Sequence, residues 1–125
     1  MEIDTDEIKR EKGHDMLLQK IHAERQHIRD LLVALKQGRA LVETYEKQHQ
    51  RYKWHLYAAL RLKREQTEVG NLDVFIIVTK RNLKETAYMS VINALKVRVV
   101  KEKIKNAQRR LSRLSAKFKA QSSEE

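Results

Sequence analysis

From Leu17 to Ala59, apolar side chains recur at alternating steps of four and three residues: Leu17, Ile21, Glu24, Ile28, Leu31, Leu35, Gly38, Val42, Tyr45, His49, Tyr52, Leu56, Ala59. Only Glu24, Gly38 and His49 interrupt the stripe. A mean period of 3.5 holds one narrow apolar seam against a partner helix, with the two winding left-handed around each other. The pattern predicts a first helix from about Asp15 to Arg64 (about 50 residues, or about 75 Å at 1.5 Å per residue), a rod rather than one face of a globule. Gly38 costs about 1 kcal/mol relative to alanine inside a helix. Its missing side chain offers either a socket for a large residue of the facing helix or a soft spot.

The segment Thr67-Glu68-Val69-Gly70-Asn71-Leu72-Asp73 breaks the period. Gly70 and Asn71 both tolerate positive φ, and Asp73 is suited to cap a following helix. A turn over about 65–73 is therefore expected, then a second helix over about 74–118. Its opening, Val74 to Thr79, is β-branched enough for a strand, but the chain offers no second strand to pair with it. Further on, Val97, Val100, Ile104, Ala107, Leu111, Leu114 and Phe118 restore the four-three spacing. Upstream, Tyr88, Ile92, Leu95 and Val99 form a different stripe, which predicts a register shift between Leu95 and Val100. The apolar face there is broader than a two-stranded seam requires. Either ordinary packing by a small third element covers it, or it is a docking face.

Two helices of similar length joined by a short turn predict an all-α fold, two long helices forming an antiparallel coiled-coil hairpin in a single domain. Residue 17 then faces residue 114, and Tyr52 faces the region of Tyr88. Such a hairpin buries little surface, so its stability is modest and a partner would add to it.

Composition narrows the function. The 125 residues contain no proline, no cysteine and three glycines, and 35% of them are charged. Without cysteine there is neither a disulfide framework nor a thiolate metal site. No apolar run approaches the roughly 18 residues of a membrane span, and the acidic start is unlike a signal peptide. A soluble, cytoplasmic protein without membrane insertion is the expectation. The net charge is +10, unevenly spread. Residues 1–15 hold six acidic and three basic side chains, whereas residues 96–119 hold ten basic ones against Glu102 alone. Such a run repels itself unless an anionic surface lies near: nucleic acid, acidic membrane or an acidic protein cavity. The alternative reading is a solvated helix face that only aids solubility.

Catalytic chemistry finds little support. Three scattered glycines build no phosphate cradle, and no serine sits in a nucleophile elbow. His14, His22, His27, His49 and His55 include no pair four residues apart, the spacing of a helical zinc site. No enzyme activity, cofactor or metal is expected. The aromatic cluster Tyr45, Tyr52, Trp54, Tyr57 says more. Trp54 lies off the seam, where it packs against the start of the second helix or anchors another protein, as Trp and Tyr do at binding hot spots.

The basic cysteine-free hairpin resembles the central-stalk proteins of type III secretion ATPases, the flagellar FliJ and injectisome YscO/EscO type. The residues that carry the resemblance are Tyr52-Lys53-Trp54-His55-Leu56-Tyr57-Ala58-Ala59-Leu60 at the end of the first helix and Asn71-Leu72-Asp73-Val74-Phe75 opening the second. It covers most of residues 10–118, and the size and charge are closest to the injectisome form. The resemblance implies a stalk that enters the pore of a hexameric secretion ATPase at the cytoplasmic face of the apparatus, promotes assembly and raises hydrolysis. It implies contact of Lys101, Lys105, Arg109, Arg110 and Arg113 with acidic pore loops. At the distal end, Tyr52, Trp54, Tyr57 and Phe75 would meet the export gate and secretion chaperones. The acidic start departs from an all-basic probe.

Two rivals stand beside this reading. Ten cations could neutralise several phosphates of a nucleic acid, with steep salt dependence. Against that, the basic run shares its helix with an apolar seam, and no stacking platform or base-reading motif accompanies it, so no nucleic acid is expected as a partner. A homodimeric scaffold is the second rival, disfavoured by the turn at Gly70-Asn71 and the near-equal helix lengths.

Overall fold

Two long helices pack against each other as an antiparallel hairpin in the computed structural model, which describes residues 5–66, 68 and 70–123. Helix α1 is Thr5–Arg64 and helix α2 is Leu72–Ser123. No strand occurs among the described residues, and the β-branched run from Val74 to Thr79 is helical. The helix α1 begins at Thr5 rather than near Asp15. Asp6 and Glu7 stand in its first turn, where carboxylates favour the helix dipole, and Gly13 is the only glycine before Asp15, with no proline to stop the helix. The helix α2 likewise runs on past Phe118, since nothing after that residue breaks it.

The turn is built differently from expectation. Gly70 does not adopt positive φ; Asn71 does, at 63°, and so does Gln66, at 55°. Gln66 takes the left-handed position that ends many helices, its N–H donating to the Lys63 carbonyl at 3.2 Å. Asn71, not Asp73, precedes the first turn of α2, and its carbonyl accepts from Phe75 N–H at 3.0 Å. Asp73 instead sits inside that turn and meets Lys63 Nζ at 3.1 Å. Thr67 and Val69 of the expected turn, and Met1–Asp4 of the acidic start, lie outside the described residues.

The chain packs as two units, one from Met1–Leu35 with Val99–Glu125 and one from Lys36–Arg98. In the first, the seam of α1 is the expected one: Ile21 and Leu31 are buried, and Leu17, Glu24, Ile28 and Leu35 are half-buried. Leu31, Ile104 and Ala107 form its core, with Ile28, Leu35 and Val100 packed around them. His14 stacks on Phe118 with ring centroids 4.2 Å apart, and Arg110 Nε donates to Glu24 Oε1 at 3.0 Å. The charged interruption of the seam is thus neutralised from the facing helix.

In the second unit, α1 contributes Gly38, Val42, Tyr45, His49, Tyr52, Leu56 and Ala59 to the seam. The matching stripe of α2 is Leu72, Ile76, Thr79, Leu83, Thr86, Ser90, Asn93, Val97, which keeps the four-three spacing throughout. The expected register shift between Leu95 and Val100 does not occur. Tyr88, Leu95 and Val99 lie on the exposed side of α2, and no third element covers them among the described residues. Thr79, Thr86 and Asn93 occupy the seam because each satisfies its buried polar group locally. They donate to the carbonyls of Phe75 (2.7 Å), Asn82 (2.9 Å) and Met89 (2.7 Å), each four residues back. Across the seam, His49 Nδ1 of α1 reaches Thr86 Oγ1 of α2 at 3.1 Å. With the Thr86 hydroxyl hydrogen directed to Asn82, the imidazole Nδ1–H is the donor in that pair.

Candidate functional site

Helical geometry decides which cations of the basic run act together. Residues four apart lie on one side of a helix, so Lys105, Arg109 and Arg113 line one shallow open depression together with Gln108 and Ser112. Lys101 precedes them by one turn. All four cations are exposed, and none makes a hydrogen bond or ion pair among the described residues. Four uncompensated charges at this spacing raise the local positive potential and favour an anionic partner. Arg110 is set apart. It lies one residue round the helix from Arg109, toward the seam, where Glu24 holds its guanidinium. The sequence cluster is therefore two things: an open cationic face and one structural ion pair.

The start of α1, from Thr5, and the end of α2, up to Ser123, belong to the unit that carries this face. The face is formed by α2 alone. Gln108 and Ser112, which add hydrogen-bonding groups to the depression, gave no signal in the sequence beyond lying within the run.

The aromatic residues of the other unit do not form one site. Tyr52 is half-buried in the seam, its ring edge-on to His55 at 6.3 Å. Trp54 is 63% exposed and sits edge-on to Tyr57 at 6.4 Å, on the side of α1 away from the seam. Packing of Trp54 against the start of α2 is therefore not what the structure has; an exposed aromatic pair takes its place. Phe75 is part of a separate apolar depression lined by His55, Ala58, Ala59, Leu62, Gly70 and Leu72 at the hairpin turn. Its ring lies 6.3 Å from that of His55. Exposed tryptophan and tyrosine are side-chain types enriched at protein contact surfaces.

Among the described residues no group of three or more His, Cys, Asp or Glu side chains is arranged to hold a metal ion. Among the described residues no helix is long and apolar enough to cross a membrane. Comparison with protein-family models, with curated proteins and with solved structures finds no match to this chain.

Proposed function

We propose that this hairpin is the central stalk of a type III secretion ATPase, entering the pore of the hexamer with the unit that holds the start of α1 and the end of α2. The observation that supports the reading is the cationic face of Lys101, Lys105, Arg109 and Arg113, exposed in that unit and unpaired among the described residues. Acidic loops lining the ring would compensate it. An insert without sixfold symmetry meets the six subunits unequally. Unequal contact favours closure of some nucleotide interfaces over others, which couples the stalk to assembly and hydrolysis. The exposed Trp54–Tyr57 pair and the dimple around Phe75 would serve the distal contacts, with an export-gate protein or with chaperones, at the cytoplasmic face of the apparatus.

The test is reconstitution with the hexameric ATPase of the cell's own secretion apparatus. The purified chain is expected to shift that ATPase toward hexamers in sedimentation and to raise its hydrolysis rate. Tight RNA binding at physiological salt, with no effect on the ATPase, would transfer the cationic face to the nucleic-acid reading.

A further inference from the structure

In the unit formed by Lys36–Arg98, α2 is apolar on the wrong side for a simple hairpin. Its seam buries Thr79, Thr86 and Asn93, while Val74, Ile77, Tyr88, Val91 and Leu95 are each more than half exposed. A helix with one partner places its apolar stripe toward that partner and polar residues away from it. Here that distribution is reversed over about two turns, where the seam holds Thr86, Ser90 and Asn93, although Ile76, Leu83 and Val97 keep it apolar on either side. The hydroxyls and the amide in the seam are satisfied by their own helix, so the hairpin closes without the apolar stripe. Tyr88, Val91, Ile92 and Leu95 recur at helical spacing along about two turns and form a second, unoccupied seam.

The border of this patch indicates what would fit it. Arg81 and Lys84 precede it on the same side of α2, and Lys96 and Arg98 flank its far end. Glu85 is the single anion in that border. None of these four cations is paired among the described residues. We propose that the patch docks an acidic amphipathic helix of another protein. Its apolar residues would pack on Tyr88, Val91, Ile92 and Leu95, and its flanking carboxylates would meet Arg81, Lys84, Lys96 and Arg98. A second copy of this chain fits worse, because it would set the same cations against their like. The proposal is independent of the ATPase reading, which rests on other residues of α2.

The probe is a synthetic helical peptide with leucine at its seam positions and glutamate at most outward ones, beside a twin with lysine for glutamate. Binding of each labelled peptide to the full chain is followed by fluorescence anisotropy at physiological salt. The acidic peptide is expected to bind and the basic twin not to. Tyr88→Ser with Leu95→Ser should weaken binding by at least about tenfold, with helical content unchanged in circular dichroism because both side chains are exposed. Leu32→Ser with Val33→Ser, an exposed apolar pair elsewhere on α1, should leave binding as it was. Equal binding of both peptides overturns the proposal, as does equal loss in the two double variants or no loss in the first. A chain that sediments as a dimer, returned to monomer by Tyr88→Ser with Leu95→Ser, would also overturn it by making the occupant a second copy.

Discussion

Gly38 lies directly beneath Val97: a Cβ at residue 38 would come within 2.9 Å of Val97 Cγ2. The glycine is thus a socket in the α1 seam and the valine is its knob. Valine is stiff at χ1 in a helix and cannot easily step aside. Overpacking of this kind costs about 1–3 kcal/mol, more than the roughly 1 kcal/mol that alanine gains in helix propensity. Gly38→Ala should therefore lower stability by about 1 kcal/mol in urea denaturation, and adding Val97→Ala should restore much of the loss. Gly13 has nothing within 4 Å of its would-be Cβ. Gly13→Ala should raise stability by up to about 1 kcal/mol, which separates packing from propensity.

Glu24 and Arg110 make a similar test for charge. The Glu24 side chain is 17% exposed and the Arg110 side chain 50%, with 3.0 Å between Nε and Oε1. Removing the guanidinium leaves a partly enclosed carboxylate without its partner. Arg110→Ala should cost about 1 kcal/mol, near the upper end for exposed pairs. Replacing both residues by leucine should recover that loss or exceed it, since an apolar seam pays no desolvation. Thermal unfolding of the single and double variants reads the difference.

Thr79 and Thr86 look equivalent in the sequence and are not. Both donate to a carbonyl four residues back, but only Thr86 Oγ1 also meets His49. Thr79→Val should be neutral or slightly stabilising, because the carbonyl it leaves keeps its helical bond. Thr86→Val deprives a half-buried imidazole N–H of its acceptor and should cost about 1 kcal/mol. Denaturant midpoints of the two variants, compared side by side, check the contrast.

At the end of α1, Gln66 holds a φ of 55°. A side chain there costs roughly 1 kcal/mol that glycine avoids. Gln66→Gly should raise the melting temperature without changing helical content.

Much of this architecture was legible in the residues, for a physical reason that also marks where legibility stopped. The α1 seam from Leu17 to Ala59 and the α2 seam from Val97 to Phe118 are written in apolar side chains, and each expected position is buried or half-buried. Between Leu72 and Asn93 the seam is written partly in threonine, serine and asparagine. A search for apolar periodicity follows Tyr88, Ile92, Leu95 and Val99 instead, and arrives at the outer face. Local back-bonding by Thr79, Thr86 and Asn93 makes the polar seam workable, and hydropathy carries no trace of it. The turn was read to within its glycine: Asn71 takes positive φ, but Gln66 does so where no residue type announces it. The basic run was visible as charge, whereas the separation of Arg110 from Arg109 required knowing that Glu24 faces it. Trp54 left two readings open, and its exposure removes the first, packing against the start of α2.

The cationic face carries the functional account, and one measurement bears on it most directly. Lys105, Arg109 and Arg113 are exposed and unpaired among the described residues, so changing all three to glutamate should leave helical content and melting temperature nearly unchanged. The hydrolysis rate of the proposed partner, a hexameric secretion ATPase, is then compared with wild-type chain and with this triple variant. Stimulation by the wild type and its loss in the charge-reversed chain is the predicted result; full stimulation by the charge-reversed chain would contradict the account.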